Sequence, residues 1–537
     1  MGRTALTRAW IAVAIAAAVV AGAAVVGPAK AGHYLREAVV REAVVHDAVA
    51  QEAGPGAQTQ ELGPRAGAPV TFLQLNDVYT MVPIDGLGGL ARVATQKKQL
   101  AAAGRTPFLV MAGDFLSPSV SSSVFKGEQM VAALNAAGLD LATLGNHEFD
   151  FGDDVLIQRM QEARFEWVVS NVVDTNTGQP IGGASAYLVK TFASLKVGFI
   201  GLCLNSEEIT ADKLKHSRIL DPLVAAGQYL PILKREGAMV IVAVTHLAFD
   251  TDRALVEKFP AIDLVIGGHE HFLITATENG SLISKAGSDA KALARIDVNR
   301  APAGTVERFY ELLPVTGVIP DDPRTAAVIA SYESRLSTEL ENVVGVSRVP
   351  LDGLSSHLRT AETNLGDVVA DAIRADARSD IAIVNSGSIR GNRIFPPGPL
   401  TRRTLIEIHP FDNVIVKLTM PGRVVLQALN TGVDKLPAAA GAFPQVSGLT
   451  MVVNSGAPPG DRVRDVRVNG QTLQLDQMYT VGIADFIFRG GDGYTMFAGQ
   501  KVLVGPEAGT LISLAIEKYV AAQREITQHV DGRIALR

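Results

Sequence analysis

The chain is poor in cysteine, in aromatic residues and in net charge. Cys203 is the one cysteine in 537 residues, so no intramolecular disulfide can form. Aromatic residues make up 6% of the chain and apolar residues 47%, a balance typical of an Ala/Val/Leu-rich α/β protein rather than a disordered one. The formal charge of −6 is small for this length, and no basic patch stands out. These features argue against polymeric nucleic acid as a partner.

The N-terminal segment has the pattern of an export signal. Two arginines precede an uncharged apolar run at 10–26, and small residues at 29–31 offer a cleavage site before Gly32. We therefore expect a signal peptide over 1–31 and a periplasmic or secreted protein. Because the run is long for a signal core, retention as an inner-membrane anchor is the alternative. Export without disulfides is typical of a bacterial periplasmic protein.

The length predicts more than one domain, because a single hydrophobic core rarely supports 537 residues. Residues 32–69 are rich in Gly, Pro, Ala and Gln, and indicate a low-complexity linker. A charged, periodic helix after Pro320 is expected to connect two domains within 319–342. We accordingly place a first domain at 70–318 and a second at 343–537.

In the first domain, short apolar runs each end in polar residues. Helical patterns lie between several of these runs, and the alternation predicts an open α/β layer whose ligands bind at the carboxyl ends of the strands. The runs are 70–75 before Asn76-Asp77, 108–111 before Gly113-Asp114, 139–144 before Gly145-Asn146-His147, 239–244 before Thr245-His246, and 262–266 before Gly267-Gly268-His269-Glu270-His271.

The third of these strand ends has two interpretations when it is taken alone. Gly145 to Asp150 reads Gly-Asn-His-Glu-Phe-Asp, which could present polar groups for chemistry or could form a turn with a helix cap. The other strand ends favour chemistry, because two divalent ions need a bridging anion together with nitrogen and oxygen ligands. The chain offers such a set in Asp77, Asp114, Asn146, His246, His269 and His271.

The order of these motifs resembles the calcineurin-like metallophosphoesterase superfamily. That resemblance implies a two-layered β-sandwich flanked by helices, and two divalent metal ions (Mn, Zn, Co or Mg). It implies that Asp114 bridges the ions, that Asp77 and His271 hold one of them, and that Asn146, His246 and His269 hold the other. It also implies a catalytic pair, His147 oriented by Asp150, which stabilises phosphoryl charge or protonates the leaving oxygen.

The first motif departs from the family pattern at Tyr79. The family usually has Asp-x-His, whereas this chain has Asp77-Val78-Tyr79 within an Asn-Asp-Val-Tyr variant. A neutral phenol is a poor ligand for a divalent metal, since tyrosine ionises near pH ~10. We expect one ion to bind more weakly or to take an extra water, with His271 supplying a compensating imidazole.

The second domain carries motifs that resemble the C-terminal substrate-binding domain of 5′-nucleotidases and of the bacterial UDP-sugar hydrolase, an α/β domain. They are Arg359 with Glu362–Asp367, Asn385–Arg390 (Asn-Ser-Gly-Ser-Ile-Arg), Pro410–Asn413 and Phe486–Tyr494. The resemblance implies that Phe411 and Phe486 sandwich the base and that Asp492 binds the ribose, with Arg359, Asn385 and Arg390 on phosphate or ribose. Ser386 and Ser388 replace glycines of the usual motif and add bulk where substrate would approach.

Together these motifs predict an exported enzyme of nucleotide catabolism. It would release phosphate from nucleoside 5′-monophosphates, with UDP-sugars or 2′,3′-cyclic nucleotides as further substrates, through in-line attack by a hydroxide formed on the metals. A sulfur-oxidation thiohydrolase of the same fold, or a nucleotide-binding protein without turnover, are the alternatives. The expected partner is a small nucleotide, with no membrane partner beyond an uncleaved anchor. The metal and the oligomeric state are left open.

Overall fold

A computed structural model describes residues 69–204, 209 and 213–537. The predicted signal peptide and all of the predicted linker except Pro69 lie outside the described residues. In the described part of the chain, no helix combines the length and apolar character needed to cross a membrane. Cys203 is 1% exposed and behaves as a small core residue.

The first domain is built on two six-stranded sheets. The first has the strand order β14-β13-β1-β2-β3-β4 and the second β11-β12-β10-β9-β7-β6, while β5 and β8 form a separate two-stranded ribbon. The strands are β1 Val70–Leu75, β2 Pro107–Ala112, β3 Leu141–Thr143, β4 Glu166–Trp167, β5 Val172–Asp174, β6 Tyr187–Phe192, β7 Leu195–Cys203, β8 Ser217–Ile219, β9 Val240–His246, β10 Leu264–Gly267, β11 Leu273–Glu278, β12 Ser281–Ala286, β13 Ala292–Arg300 and β14 Val306–Pro314.

The two sheets pack face to face and helices cover their outer faces. Phe72, Phe108 and Phe199 meet between the sheets, with Phe72 edge-on to each of the other two rings. Because both faces of the central strands are covered, β1 is buried along its whole length. The helices of this domain are α1 Leu90–Ala102, α2 Val120–Phe125, α3 Glu128–Ala137, α4 Asp153–Glu162, α5 Pro222–Arg235 and α6 Phe249–Lys258.

This arrangement confirms the predicted β-sandwich flanked by helices and shows that the single open layer was wrong. The strands β1, β2 and β3 run parallel in the first sheet, whereas β9 and β10 run parallel in the second. The polar strand ends therefore come from two sheets, because the chain crosses from one to the other after β4. Alternation of strands and helices is the same in both topologies and does not distinguish them.

The connecting helix α7 runs from Pro323 to Glu339, inside the segment 319–342. Its N-terminus is capped by Asp322, whose carboxylate accepts hydrogen bonds from the backbone N–H (3.1 Å) and the hydroxyl (2.8 Å) of Thr325. Tyr332 packs edge-on against Phe125 of α2 at 5.2 Å between ring centroids. The helix therefore packs against the first domain, and a division of the chain at this segment stays a proposal.

The second domain is a smaller α/β unit around a five-stranded mixed sheet, β21-β17-β25-β20-β26. Its strands are β15 Val343–Ser347, β16 Leu351–Asp352, β17 Ile381–Asn385, β18 Ile394–Phe395, β19 Gly398–Thr401, β20 Ile415–Pro421, β21 Pro444–Ser447, β22 Leu449–Val453, β23 Val463–Val468, β24 Gln471–Thr472, β25 Met478–Ala484, β26 Lys501–Val504, β27 Glu525–Ile526 and β28 Ile534–Leu536. Its helices are α8 Ser355–Leu358, α9 Asn364–Ala377, α10 Arg402–Ile408, α11 Gly422–Val433, α12 Asp485–Phe488 and α13 Ile512–Gln523.

Candidate metal centre and active site

Three buried ligand-type side chains converge at the common edge of the two sheets. Asp77 comes two residues after β1, Asp114 two residues after β2, and His246 ends β9. One ligand atom of each lies within 4.8 Å of the others, and all three residues are fully buried. The strand ends that the sequence singled out thus meet although they belong to different sheets.

The backbone at this edge is strained at three of the predicted ligands. Asp77 has φ 53°, Asp114 has φ 55° and His269 has φ 85°, all in the left-handed region that non-glycine residues avoid. Each such residue costs of order 1–3 kcal/mol and persists only where the surrounding structure enforces it. The strain turns the chain sharply after each strand, so that the side chains point into the shared edge.

Two glycines leave the space that this cluster needs. A Cβ on Gly145 would lie 2.2 Å from Asp114 Oδ1, and a Cβ on Gly113 would lie 2.6 Å from His246 Nδ1. Neither side chain can retreat, because both are buried and hydrogen-bonded. The Gly-Asp and Gly-Asn-His-Glu motifs therefore need glycine for steric reasons.

Gly145→Ala is expected to disrupt the cluster. The added methyl overlaps the Asp114 carboxylate, so we expect metal affinity to fall by at least about 10-fold, on the scale seen when residues that support metal ligands are altered. Isothermal titration with Mn²⁺ measures this, with Gly317→Ala, whose added Cβ meets no atom nearer than 3.8 Å, as the matched control. An unchanged affinity in Gly145→Ala would contradict the tight packing described here.

His246 is oriented with one nitrogen toward the carboxylates. Its Nδ1 donates to the carbonyl oxygen of Ala112 at 2.8 Å, which leaves Nε2 facing Asp114 Oδ2 at 3.0 Å. Burial lowers the pKa of His246, but the carboxylates of Asp114 and Asp77 outweigh this and raise it to about 9. The two acids thus create a strongly negative field that attracts a cation to this point.

Two buried ligand atoms here have no hydrogen-bond partner among the described residues. They are Asn146 Oδ1 and His269 Nδ1. Burial and the nearby His246 lower the pKa of His269 to about 3, so its imidazole is neutral. Carboxylate, amide oxygen and neutral imidazole are the donors that divalent metals take, and the residues present therefore fit such ions.

Tyr79 lies inside the cluster rather than away from it. Its hydroxyl is 2.9 Å from His271 Nε2 and 3.3 Å from Asp77 Oδ1. His271 Nε2 is itself 3.5 Å from Asp77 Oδ1, so the structure brings His271 to the cluster as predicted. Burial and the carboxylate of Asp77 raise the pKa of the Tyr79 hydroxyl well above its usual value, which keeps the phenol neutral.

His147 and Asp150 form the predicted pair beside the cluster. His147 opens a 3₁₀ turn, His147–Phe149, and its Nδ1 is 2.7 Å from Asp150 Oδ2. Its Nε2 is 3.0 Å from the carbonyl oxygen of Glu507 in the second domain. Both neighbours are acceptors, so both ring nitrogens carry protons. Burial lowers the pKa of His147, but Asp150 and Asp114 outweigh it and raise it to about 10.

Three supporting residues at this edge were missed as site residues by the sequence analysis. Glu148 accepts hydrogen bonds from the backbone N–H groups of Asp114, Phe115, Leu116 and Gly145, and so fixes two ligand loops to each other. Lys213 Nζ lies 2.9 Å from Asp150 Oδ1. Asn76 donates to Asp77 Oδ2 at 2.7 Å. For Asn76 and Glu148, adjacency to ligands was the signal in the sequence; Lys213 had none.

In the second domain the structure brings Asn385 and Asp492 together. Asn385 Nδ2 donates to Asp492 Oδ2 at 2.8 Å, while Asn385 Oδ1 is buried and has no hydrogen-bond partner in the part of the chain that the structure describes. Asp492 has a left-handed backbone, φ 55°, between two glycines. Gly387 and Gly441 lie close to the Asp492 carboxylate. A Cβ added to either glycine would lie within 3.4 Å of Asp492 Oδ2. These polar groups are therefore set in a tight cradle of loops.

The two predicted slot aromatics are partly exposed. Phe411 is 36% and Phe486 is 44% exposed, unusual for large apolar rings that only fill a core. The Arg390 guanidinium lies over the Phe411 ring at 4.9 Å from its centroid. Arg359 is half-buried, and its Nε has no hydrogen-bond partner among the described residues. Arg390 and Phe411 are thus brought together, whereas among the described residues no hydrogen bond, ion pair or ring contact joins Arg359 to the other predicted residues.

The two serines that replace family glycines do not point toward solvent. Ser386 Oγ donates to the carbonyl oxygens of Leu358 and Phe443, and Ser388 Oγ donates to that of Asn385 at 2.8 Å. Both serines are buried. Their hydroxyls tie the loop together from within, so the extra atoms are taken up by the domain interior.

Comparison with known proteins agrees with this geometry. A family model described as calcineurin-like phosphoesterase matches residues 70–273, and one described as 5′-nucleotidase, C-terminal domain, matches residues 343–499. The trifunctional nucleotide phosphoesterase protein YfkN of Bacillus subtilis (strain 168) is 26% identical over 515 residues, which are 87% of this chain. The chain spans 35% of the length of YfkN.

Two further matches span nearly whole proteins. The 5′-nucleotidase of Bos taurus is 26% identical over 524 residues, covering 87% of this chain and 90% of that protein. The structure of Haemophilus influenzae NAD nucleotidase aligns with a TM-score of 0.75 at 18% identity, covering 87% of this chain and 99% of that one. At this identity the structural match shows the fold alone.

The sandwich with its buried acid–histidine cluster defines a metal-dependent phosphoesterase, a hydrolase of the calcineurin-like class. The second domain narrows the assignment further. Both family models match in order along the chain, so the protein combines a calcineurin-like phosphoesterase domain with a 5′-nucleotidase C-terminal domain.

Proposed function

We propose that this enzyme releases phosphate from nucleoside 5′-monophosphates with the help of two divalent ions. UDP-sugars and 2′,3′-cyclic nucleotides are further candidate substrates. The observation that carries the proposal is the convergence of Asp77, Asp114 and His246 at one edge, with the His147–Asp150 pair beside them. The partly exposed aromatics of the second domain favour a nucleotide over a simple phosphate ester.

The cluster residues would hold the metal ions. Asp114 would bridge them, with Asp77 and His271 on one ion, and Asn146, His246 and His269 on the other. When bound, such ions supply positive charge to the phosphoryl group and lower the pKa of a coordinated water. Support comes from Asn146 Oδ1 and His269 Nδ1, which are buried without a hydrogen-bond partner among the described residues, and from His246 Nε2, which faces Asp114 Oδ2 at 3.0 Å.

His147 would act on the substrate through Nε2. Asp150 accepts a hydrogen bond from the Nδ1–H group of His147 and is itself bound by Lys213. These contacts fix the orientation of the imidazole ring. In this structure the Nε2–H group donates a hydrogen bond to the carbonyl oxygen of Glu507. With substrate bound, it would donate to a phosphoryl oxygen or to the leaving ribose oxygen. A substrate oxygen would thus replace the carbonyl oxygen of Glu507 as the acceptor at Nε2. The segment 506–508 would have to move away from His147 for this to happen.

Tyr79→His is expected to tighten metal binding. The phenol now bonds His271 Nε2, an atom that we assign to one ion, whereas an imidazole at 79 would supply a ligand of its own. We expect Mn²⁺ affinity at the weaker site to rise by roughly 10-fold, the lower end of changes caused by altering groups around a metal. Isothermal titration checks this, with Tyr79→Phe as the control. Weaker binding in Tyr79→His would contradict the assignment of this position.

Phe411→Ala and Phe486→Ala are expected to affect nucleotides selectively. Each ring would stack on the base, and stacking contacts of this kind contribute about 0.5–1.5 kcal/mol beyond buried area. We therefore expect the KM for AMP to rise by roughly 3–10-fold, while p-nitrophenyl phosphate, which carries no base, is unaffected. Phe488→Ala, on the same short helix α12, is the control. Equal losses on both substrates would argue against a base slot.

A substrate panel separates the proposed activity from its alternatives. Purified protein supplied with Mn²⁺, Zn²⁺, Co²⁺ or Mg²⁺ is assayed for phosphate release from AMP and p-nitrophenyl phosphate, and for nucleoside monophosphate formed from UDP-glucose and 2′,3′-cyclic AMP. Hydrolysis of AMP supports the proposal, whereas release of sulfate from a thiosulfonate assayed alongside, with no hydrolysis of the four phosphate compounds, would favour the thiohydrolase. Tight binding of AMP without turnover in any metal would leave a nucleotide-binding protein.

We also propose that the protein is exported through residues 1–31. The apolar run at 10–26 and the small residues before Gly32 support a cleaved signal. N-terminal sequencing of protein from the native host is expected to begin at Gly32 in a periplasmic or secreted fraction. Recovery of the uncleaved chain with membranes would favour an inner-membrane anchor.

A further inference from the structure

Lys285 is a buried cation in the sheet that carries two of the predicted histidine ligands. It lies on β12, next to β10, and its side chain is fully buried. Lysine is almost never fully buried without partners, because removing an ammonium group from water is costly. Its sequence context, Ser-Leu-Ile-Ser-Lys-Ala, is otherwise a core strand. A buried lysine in such a strand calls for a specific set of partners.

Lys285 bonds to the two loops that adjoin His246 and His269, which we call the histidine loops. Its Nζ donates to the carbonyl oxygen of Leu247 at 2.6 Å and to that of Gly268 at 2.7 Å. Leu247 directly follows His246, and Gly268 directly precedes His269. One ammonium group therefore joins the backbones of both loops, each within one residue of a predicted nitrogen ligand.

Two carboxylates complete the network around the ammonium group. Asp252 Oδ2 lies 3.0 Å from Lys285 Nζ, and Glu270 Oε2 contacts the same atom. The second oxygen of each acid accepts a hydrogen bond from a residue near His246. Asp252 Oδ1 accepts from the Thr245 hydroxyl at 2.7 Å, and Glu270 Oε1 accepts from the Phe249 N–H at 2.5 Å. Lys285 is thus the hub of a closed set of bonds.

We propose that Lys285 is a positioning residue for the metal centre, which sets the spacing between the His246 and His269 ligand nitrogens. The rings of His246 and His269 already pack in a T-shaped arrangement, with 5.4 Å between their centroids. Two nitrogens that bind one ion must be held at a fixed separation. The ammonium group of Lys285 has three N–H donors on one nitrogen, so it can bond to both histidine loops at once. This inference rests on the proposed role of these histidines as ligands.

The test compares metal binding by wild-type protein and by Lys285→Met, both stripped of metal. The methionine fills the same space but donates nothing to the two carbonyls. Titration with Mn²⁺ is expected to show a 10–100-fold loss of affinity, the range found when groups behind metal ligands are altered. The visible spectrum with Co²⁺ is expected to change, since the histidine geometry relaxes. Lys196→Met, at the exposed position of the otherwise buried strand β7 in the same sheet, is the matched control.

Conservative variants separate positioning from bulk stability. Lys285→Gln keeps N–H donors for the carbonyls, and it is expected to recover part of the lost affinity. If Lys285→Met does not fold, Lys285→Gln combined with Asp252→Asn removes the cation together with one buried acid, and an intermediate loss of affinity is expected. Unchanged affinity and Co²⁺ spectrum in folded Lys285 variants would overturn the inference. If the wild type binds neither ion, the metal centre itself is overturned.

Discussion

Asp114→Asn should reduce the rate of AMP hydrolysis by about 10³-fold or more. Asp114 is the one carboxylate assigned to both ions, and its Oδ1 also accepts the His147 N–H at 2.8 Å. Electrostatic stabilisation by bound metals is worth several kcal/mol, and each 1.4 kcal/mol is a tenfold change in rate. The substitution keeps the shape of the side chain and removes its charge, so the loss reports on the charge.

Metal stoichiometry makes this prediction more specific. With the bridging charge gone, Asp114→Asn is expected to bind one ion tightly instead of two, as counted by equilibrium dialysis. Asp250→Asn, an exposed acid on α6, controls for removal of one negative charge. Wild-type turnover with two bound ions in Asp114→Asn would refute Asp114 as the bridge.

His147→Asn should slow hydrolysis in a manner that depends on the leaving group. General acid catalysis contributes typically 10²–10⁴-fold, and it matters most when the leaving oxygen is strongly basic. AMP leaves as a ribose alkoxide, whereas p-nitrophenyl phosphate leaves as a stable phenolate. We therefore expect a loss of about 10²–10⁴-fold for AMP and a clearly smaller loss for p-nitrophenyl phosphate.

Asp150→Asn is the companion to this measurement. It removes the negative charge 2.7 Å from His147 Nδ1 and keeps a side chain of the same shape with one acceptor oxygen. The same leaving-group dependence with a smaller overall loss is expected. An equal loss on both substrates in His147→Asn would show that the ring positions the phosphoryl group and donates no proton to the leaving oxygen.

The metal cluster could be predicted because its ligands follow apolar strands directly. Asp77, Asp114 and His246 stand at or just after strand ends, where side chains leave the core and face a common edge. The sandwich itself could be predicted only from family resemblance. Strand–helix alternation reads the same for one sheet as for two, and the pairing of β9 with β7 rather than with β3 is decided by packing.

The supporting residues could not be predicted, because their partners are distant in sequence. Lys285 contacts the carbonyl oxygen of Leu247, 38 residues earlier, and Lys213 contacts Asp150, 63 residues earlier. No local pattern marks such pairs. The Ser386 hydroxyl likewise points into the domain interior because it bonds to the carbonyl oxygen of Phe443, 57 residues later. Residue type and local pattern predict the ligands, whereas long-range hydrogen bonds decide what holds them.

Phosphate release from AMP, measured as metal is returned to stripped protein, tests whether the acid–histidine cluster is a two-metal catalytic centre. We predict no turnover without metal, and full turnover only when two Mn²⁺ ions are bound per chain, with Asp114→Asn inactive throughout. The cluster and the His147–Asp150 pair are then working as one site. Tight AMP binding without phosphate release, in every divalent metal tried, would contradict the account.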